Sequence, residues 1–123
     1  MVLPPPVLVV VDDDLAVRAA LAFAFETDRF EVAAFEDAET LLAASPKNVC
    51  CFILDQRLPG LSGLQLLEQL RAAGEHAPAV LITTNPSSQL KRRARALGAE
   101  IVEKPLLGEV LRRHVAALVG WPI

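Results

Sequence analysis

Five short apolar runs punctuate the chain: Val7 to Val11, Val32 to Phe35, Val49 to Leu54, Ala79 to Thr83 and Ile101 to Val102. Each has the length expected of a β-strand. Between them apolar residues recur at helical spacing, as Val17/Leu21/Ala24, Ala38/Leu41/Leu42, Leu66/Leu67/Leu70 and Leu90/Ala94/Leu97, with Val110/Leu111/Val115/Leu118 after the last run. The pattern is a strand followed by a helix, repeated five times. Near-continuous apolar runs suit strands buried on both faces, so the expected fold is α/β, a parallel sheet covered by helices on each side. With five strands and right-handed crossovers a common strand order is 2-1-3-4-5. Asp14 and Asn85 can cap helix starts, Pro86 suits a first helical turn, and Gly74 and Gly98 suit helix ends.

A chain of 123 residues, 53% hydrophobic, fits a single domain over 1–123. Its core is expected at about 7–119, with 1–6 a leader and 120–123, which carries Trp121, either the end of the domain or the start of a linker. A net charge of −3 gives no electrostatic reason to expect direct nucleic-acid binding by this domain. The longest apolar stretch, Val7 to Val11, is far short of the roughly 20 residues of a membrane span. Met1 to Pro6 also lacks the charged start of a signal peptide, so no membrane association and a soluble, cytoplasmic protein are expected. Cys50 and Cys51 stand side by side in an apolar run, where successive side chains point to opposite faces of a strand, and both read as reduced, buried small hydrophobes rather than a redox pair.

Polar residues of distinctive type follow the apolar runs: Asp12, Asp13 and Asp14 the first, Asp55 the third, Thr83 and Thr84 the fourth, Lys104 the fifth. In an open parallel sheet the carboxyl ends of all strands share one edge, and ligands bind there where strand order reverses. That point lies between the first and third strands, so Asp12, Asp13 and Asp55 are expected to meet. Three converging carboxylates repel one another, and a hard divalent cation relieves the repulsion. Mg²⁺ is the natural candidate, because it binds through one or two carboxylates plus a phosphate and keeps several waters. It also offsets the repulsion that keeps an aspartate from attacking a phosphoryl group. Lys104 adds a second positive charge and the Thr83 hydroxyl a hydrogen-bond donor, so the set points to phosphoryl transfer to a carboxylate.

The run Val9-Val10-Val11-Asp12-Asp13-Asp14, the segment Leu54-Asp55-Gln56-Arg57-Leu58-Pro59-Gly60-Leu61-Ser62-Gly63, Thr83 and the pair Lys104-Pro105 together resemble the signature of response-regulator receiver domains. The resemblance spans nearly the whole chain and leans toward the FixJ-like transcriptional branch. It implies the flavodoxin-like (βα)5 three-layer sandwich, and a two-component phosphorelay protein that accepts a phosphoryl group rather than turning over a separate substrate. Residue by residue it implies that Asp55 is the phosphoacceptor, that Asp12 and Asp13 bind Mg²⁺ with Asp55 and the Arg57 backbone carbonyl, that Thr83 contacts the phosphoryl group and that Lys104 pairs with it. It also implies a cis Lys104-Pro105 peptide. The implied donor is a phosphohistidine on a sensor histidine kinase or histidine phosphotransfer protein. The implied output face is the fourth helix, fifth strand and fifth helix, with a phosphorylation-dependent homodimer through it; the basic stripe Lys91, Arg92, Arg93 and Arg95 lies there.

The chain departs from the family pattern at Ile101 and Thr84. Ile101 stands where many receivers carry a Phe or Tyr three residues before the lysine, so signalling runs through a subtler rearrangement or the switch is weaker. Thr84 replaces the usual Ala or Gly after the threonine and is expected to narrow the pocket. Arg57 and Asn85 occupy positions that modulate how water reaches the phosphoaspartate, and Arg57 is expected to lengthen its lifetime. Two other functions stay in view. A haloacid-dehalogenase-like phosphatase uses an Asp-x-Asp after its first strand, which would make Asp12 the nucleophile, but Ala16 and the chain length speak against it. A phosphorylation-independent pseudo-receiver would keep the fold as an interaction module, without physical need of clustered carboxylates.

Overall fold

The computed structural model describes residues 5–104 and 108–121. The elements are β1 (Val7–Val11), α1 (Leu15–Thr27), β2 (Glu31–Phe35), α2 (Ala38–Ala44), β3 (Val49–Asp55), α3 (Gly63–Ala72), β4 (Ala79–Thr83), α4 (Ser88–Ala96), β5 (Ala99–Glu103) and α5 (Gly108–Val119). The strands form one parallel sheet in the order β2-β1-β3-β4-β5, as the apolar pattern predicts. β5 is longer than its apolar run. As an edge strand it leaves Glu100 and Glu103 exposed while Ala99 turns inward, so its ends read as polar.

Alternation along the central strands sorts the core into two layers. Leu8, Val10, Cys51, Ile53, Val80 and Ile82 pack with Leu21 and Phe25 of α1 and Leu111 and Val115 of α5. On the other face Val9, Val11, Phe52, Leu54 and Leu81 meet Leu41 of α2, Leu66, Leu67 and Leu70 of α3 and Ala94 of α4. Each fully buried Leu, Ile or Phe contributes about 1.5–3 kcal/mol by leaving water, so both layers hold the sheet. The cysteines break the alternation. Val7 pairs with Val49 but Leu8 with Cys51, so Cys50 is an extra residue on β3, and both cysteines end on the α1/α5 side instead of opposite faces. Both are free, and burial pushes the Cys51 thiol up to about 12, which leaves it an inert part of the core.

Helix ends follow local chemistry. Asp14 caps α1, accepting from the Ala16 N–H at 2.9 Å, and Gly74 and Gly98 take left-handed φ of 90° and 76° just past α3 and α4. The start of α4 differs from expectation. Asn85 is itself left-handed, with φ of 49°, and Ser87 is the cap, its Oγ accepting from the Leu90 N–H at 3.0 Å. Pro86 therefore precedes the cap rather than opening the helix. No helix among the described residues is long and apolar enough to cross a membrane.

Behind α1, one cluster ties three segments together. The Asp28 carboxylate, its side chain 6% exposed, takes two hydrogen bonds from the Arg112 guanidinium of α5, at 2.7 and 2.5 Å. The Asp28 carbonyl accepts from Trp121 Nε1 at 2.7 Å, and the indole lies against Phe30, which meets Phe25 edge-on. Trp121 is thus packed on the α1/α5 layer. The Arg112 hydrogen bonds hold the Asp28 carboxyl below its usual range. A depressed carboxylate pKa contributes stability that is full above the unfolded value of about 3.9 and is lost as pH falls through the folded value. Arg112→Met should therefore lower the urea midpoint at pH 7, with the deficit shrinking as the pH is brought below about 4. An equal deficit at pH 7 and in acid would mean that the pair acts through packing alone.

Candidate functional site

The residues that follow β1, β3 and β5 converge at the carboxyl edge of the sheet. Asp12 extends β1 by one step, its N–H donating to the Phe35 carbonyl at 3.1 Å, and its Oδ1 accepts from the Asp14 N–H at 2.9 Å. Asp55 is the last residue of β3, in register with Ile82. Carboxylate oxygens of Asp12, Asp13 and Asp55 all lie within 4.8 Å of one another. Asp12 and Asp55 are 3% and 4% exposed, whereas Asp13 faces solvent.

Lys104, just past β5, is placed by its N–H donating to the Thr83 carbonyl at 2.9 Å. Its Nζ stands 3.4 Å from Oδ1 and 3.5 Å from Oδ2 of Asp55, straddling the carboxylate. The Arg57 N–H approaches Asp55 Oδ1 at 3.4 Å. A cavity of about 380 Å³ opens over these groups, lined by Asp12, Asp13, Asp14, Val17, Asp55, Arg57, Leu58, Pro59 and Lys104. Burial, together with the charges of Asp55 and Asp13, raises the Asp12 carboxyl above its usual range, against the pull of the Asp14 N–H and Lys104. One lysine among three carboxylates leaves a net negative pocket of hard oxygen donors, a set that fits a divalent cation with open positions.

Two of these loops are held by interactions that the strand-end pattern did not disclose. Gln56 ties the β3–α3 loop down: its N–H donates to the Ile82 carbonyl at 2.9 Å, its carbonyl accepts from Gly63 at 3.2 Å and its Oε1 from the Leu64 N–H at 2.9 Å. Gly63 sits so close that a Cβ there would fall 2.5 Å from the Asp55 carbonyl oxygen and 2.7 Å from Leu81 Cδ1. Only glycine lets α3 begin directly behind Asp55. On the other side, Arg18 of α1 donates from Nη1 to the Asp12 carbonyl at 2.8 Å. The sole sequence signals were a glycine ending the Asp55 segment and an arginine one helical turn past Asp14.

The structure brings Asp12, Asp13, Asp55, Arg57 and Lys104 to one cavity. Thr83 is buried at the end of β4 and Thr84 and Asn85 are exposed beyond it; none of the three lines that cavity. Thr84 does not line the cavity, so the expected narrowing by it is not seen. Ile101 is half-buried on β5 against the α2/α3/α4 layer. The expected cis Lys104-Pro105 peptide involves Pro105, which lies outside the described residues.

Comparison with known proteins agrees with this geometry. A family model described as response regulator receiver domain matches residues 8–116. The transcriptional regulatory protein FixJ of Azorhizobium caulinodans is 37% identical over 113 residues, covering 90% of this chain and 54% of that protein. Nodulation protein W of Bradyrhizobium diazoefficiens is 34% identical, with 90% of this chain and 50% of that protein covered. The chain thus spans about half the length of these curated relatives. Among solved structures, response regulator StyR superposes with a TM-score of 0.85 at 35% identity, covering 94% of this chain and 60% of that one. A CheY-like receiver from Methanospirillum hungatei has a TM-score of 0.86 at 21% identity, covers 94% of each chain, and shares the fold. With the family model matched along nearly its whole length, this chain belongs to the response regulator receiver domain family.

Proposed function

We propose that the chain is phosphorylated on Asp55, with Mg²⁺ bound by Asp12, Asp13, Asp55 and the Arg57 backbone carbonyl. The observation that carries this is the Asp55 carboxylate itself, buried, within reach of two further carboxylates and straddled by Lys104. When bound, Mg²⁺ supplies positive charge that offsets repulsion between the carboxylates and an incoming phosphoryl group. An Asp55 carboxylate oxygen attacks phosphorus, the bond from phosphorus to the donor imidazole breaks, and the imidazole departs, taking up a proton. Lys104 then pairs with a phosphoryl oxygen while keeping its place beside β5, and Thr83, in register with Glu103 at the end of the neighbouring strand, donates its hydroxyl to another. The phosphatase alternative is disfavoured because the lysine contacts Asp55 and not Asp12.

The donor reads as a sensor histidine kinase or a phosphotransfer protein, in keeping with relatives described as response regulators. α1 presents an apolar exposed face beside the cavity, with Leu15 69% and Phe23 77% exposed. A surface of that kind marks a contact site. The output face is α4, β5 and α5, where Lys91 and Arg95 share a second hollow with Glu100, Glu103, Ile101 and His114. Charges of both signs there suit a second copy, and Ile101 makes the change on phosphorylation smaller than an aromatic would.

With Mg²⁺ and acetyl phosphate, the parent should gain one phosphoryl mass that requires Mg²⁺ and is absent from Asp55→Asn; an adduct on Asp12 would support the phosphatase, and none at all the pseudo-receiver. Phe23→Asp should slow transfer from a phosphohistidine donor about tenfold or more while leaving acetyl phosphate labelling unchanged, as expected of an apolar anchor removed from an interface. Arg57, exposed at the cavity mouth, should shield the acyl phosphate, so Arg57→Ala is expected to lose phosphate faster than the parent in a chase by intact mass.

A further inference from the structure

The Asp12 carbonyl is the first beyond the end of β1, so it has left the sheet ladder just where the chain turns to carry Asp13. A carbonyl at that point needs a donor from elsewhere. Arg18 provides it at 2.8 Å, from one turn inside α1, and Arg18 is itself half-buried. The neighbouring contacts show how the loop is shared out. The Asp12 side chain receives the Asp14 N–H, the Asp14 side chain receives Ala16, and the main chain between Asp12 and Asp13 is held by Arg18. Peptide planarity links that carbonyl to the Asp13 N–H, so fixing one orients the start of Asp13.

We infer that Arg18 is a positioning residue of the acidic site, holding the Asp12–Asp13 peptide so that the Asp13 carboxylate stays within reach of Asp12 and Asp55. This rests on the cation-site reading above. Among the described residues Arg18 bonds the main chain and pairs with no carboxylate, so its role is separable from that of a counter-charge. The two roles predict opposite signs. Removing a nearby positive charge strengthens attraction of Mg²⁺ to the pocket, whereas loosening the peptide that orients a ligand weakens it.

The test is Mg²⁺ titration by calorimetry of the full chain, with urea unfolding in the absence of Mg²⁺ as a second readout. Arg18→Met is expected to raise the Mg²⁺ Kd about tenfold, as loss of a group that orients a metal ligand typically does. Arg18→Lys, which keeps a charged donor, should recover most of that affinity, and in an Asp13→Asn background Arg18→Met should weaken binding no further. Arg18→Gln replaces Arg18→Met for the same measurement where the latter does not fold. Unchanged or tighter Mg²⁺ binding in the neutral variants overturns the inference, whatever their stability, and so does an equal loss in the Asp13→Asn background. Failure of the parent to bind Mg²⁺ overturns the underlying cation-site reading instead, so the two failures are distinguishable.

Discussion

Repulsion among three carboxylates within 4.8 Å of one another is the constraint around which this domain is arranged. Two of them are buried, and burial removes the water that would screen them. The raised Asp12 carboxyl is the direct mark of that cost. A site that resists its own charges has to be imposed by the scaffold, and the parallel sheet does this by ending β1 and β3 side by side at one edge. What results is a net negative set of hard oxygen donors, which fits a divalent cation.

The scaffold holds the site from behind through the main chain. Gln56 bonds the loop after Asp55 to β4 and to the start of α3, Gly63 lets α3 come within a Cβ's radius of the Asp55 carbonyl, and Arg18 holds the peptide after Asp12. None of these groups consumes the carboxylate oxygens that chemistry needs. Lys104 is the contrasting case, arriving from the edge strand on a long side chain, 38% exposed, to meet Asp55 directly. Two buried acids and one adaptable cation suit the phosphoryl acceptance proposed for this site.

Stability is distributed away from that edge. The α1–β2 turn, α5 and Trp121 are joined by the Asp28–Arg112 pair and the Phe25–Phe30–Trp121 contacts. α4, by contrast, buries only Ala94 fully, and its polar residues face solvent or pair across to α3, as Arg93 does with Glu68 at 3.0 Å. Among the described residues α4 has the fewest fully buried side chains of any helix, and so little buried apolar surface restrains it weakly. It stands next to Thr83 and on the proposed output face, so weak packing and signalling fall on the same segment.

The fold was legible in the sequence because its central strands are buried on both faces and its helices on one. Those two periods appear directly in the order of apolar residues, and 2-1-3-4-5 is a common strand order for five such units with right-handed crossovers. The candidate ligands Asp12, Asp13, Asp55 and Lys104 were legible for a related reason: a polar residue that ends a buried strand has one place to go, the carboxyl edge. What the one-dimensional pattern does not carry is any contact that depends on a side chain's direction or on register. The bulge at Cys50 that puts both cysteines on one side and the cap at Ser87 instead of Asn85 were decided by backbone geometry at single residues. Arg18 and Gly63 have no distinctive residue type for their roles, since an arginine on a helix and a glycine in a loop are common everywhere. Only the packing of α1 and α3 against the strand ends brings one to the Asp12 carbonyl and the other against Asp55.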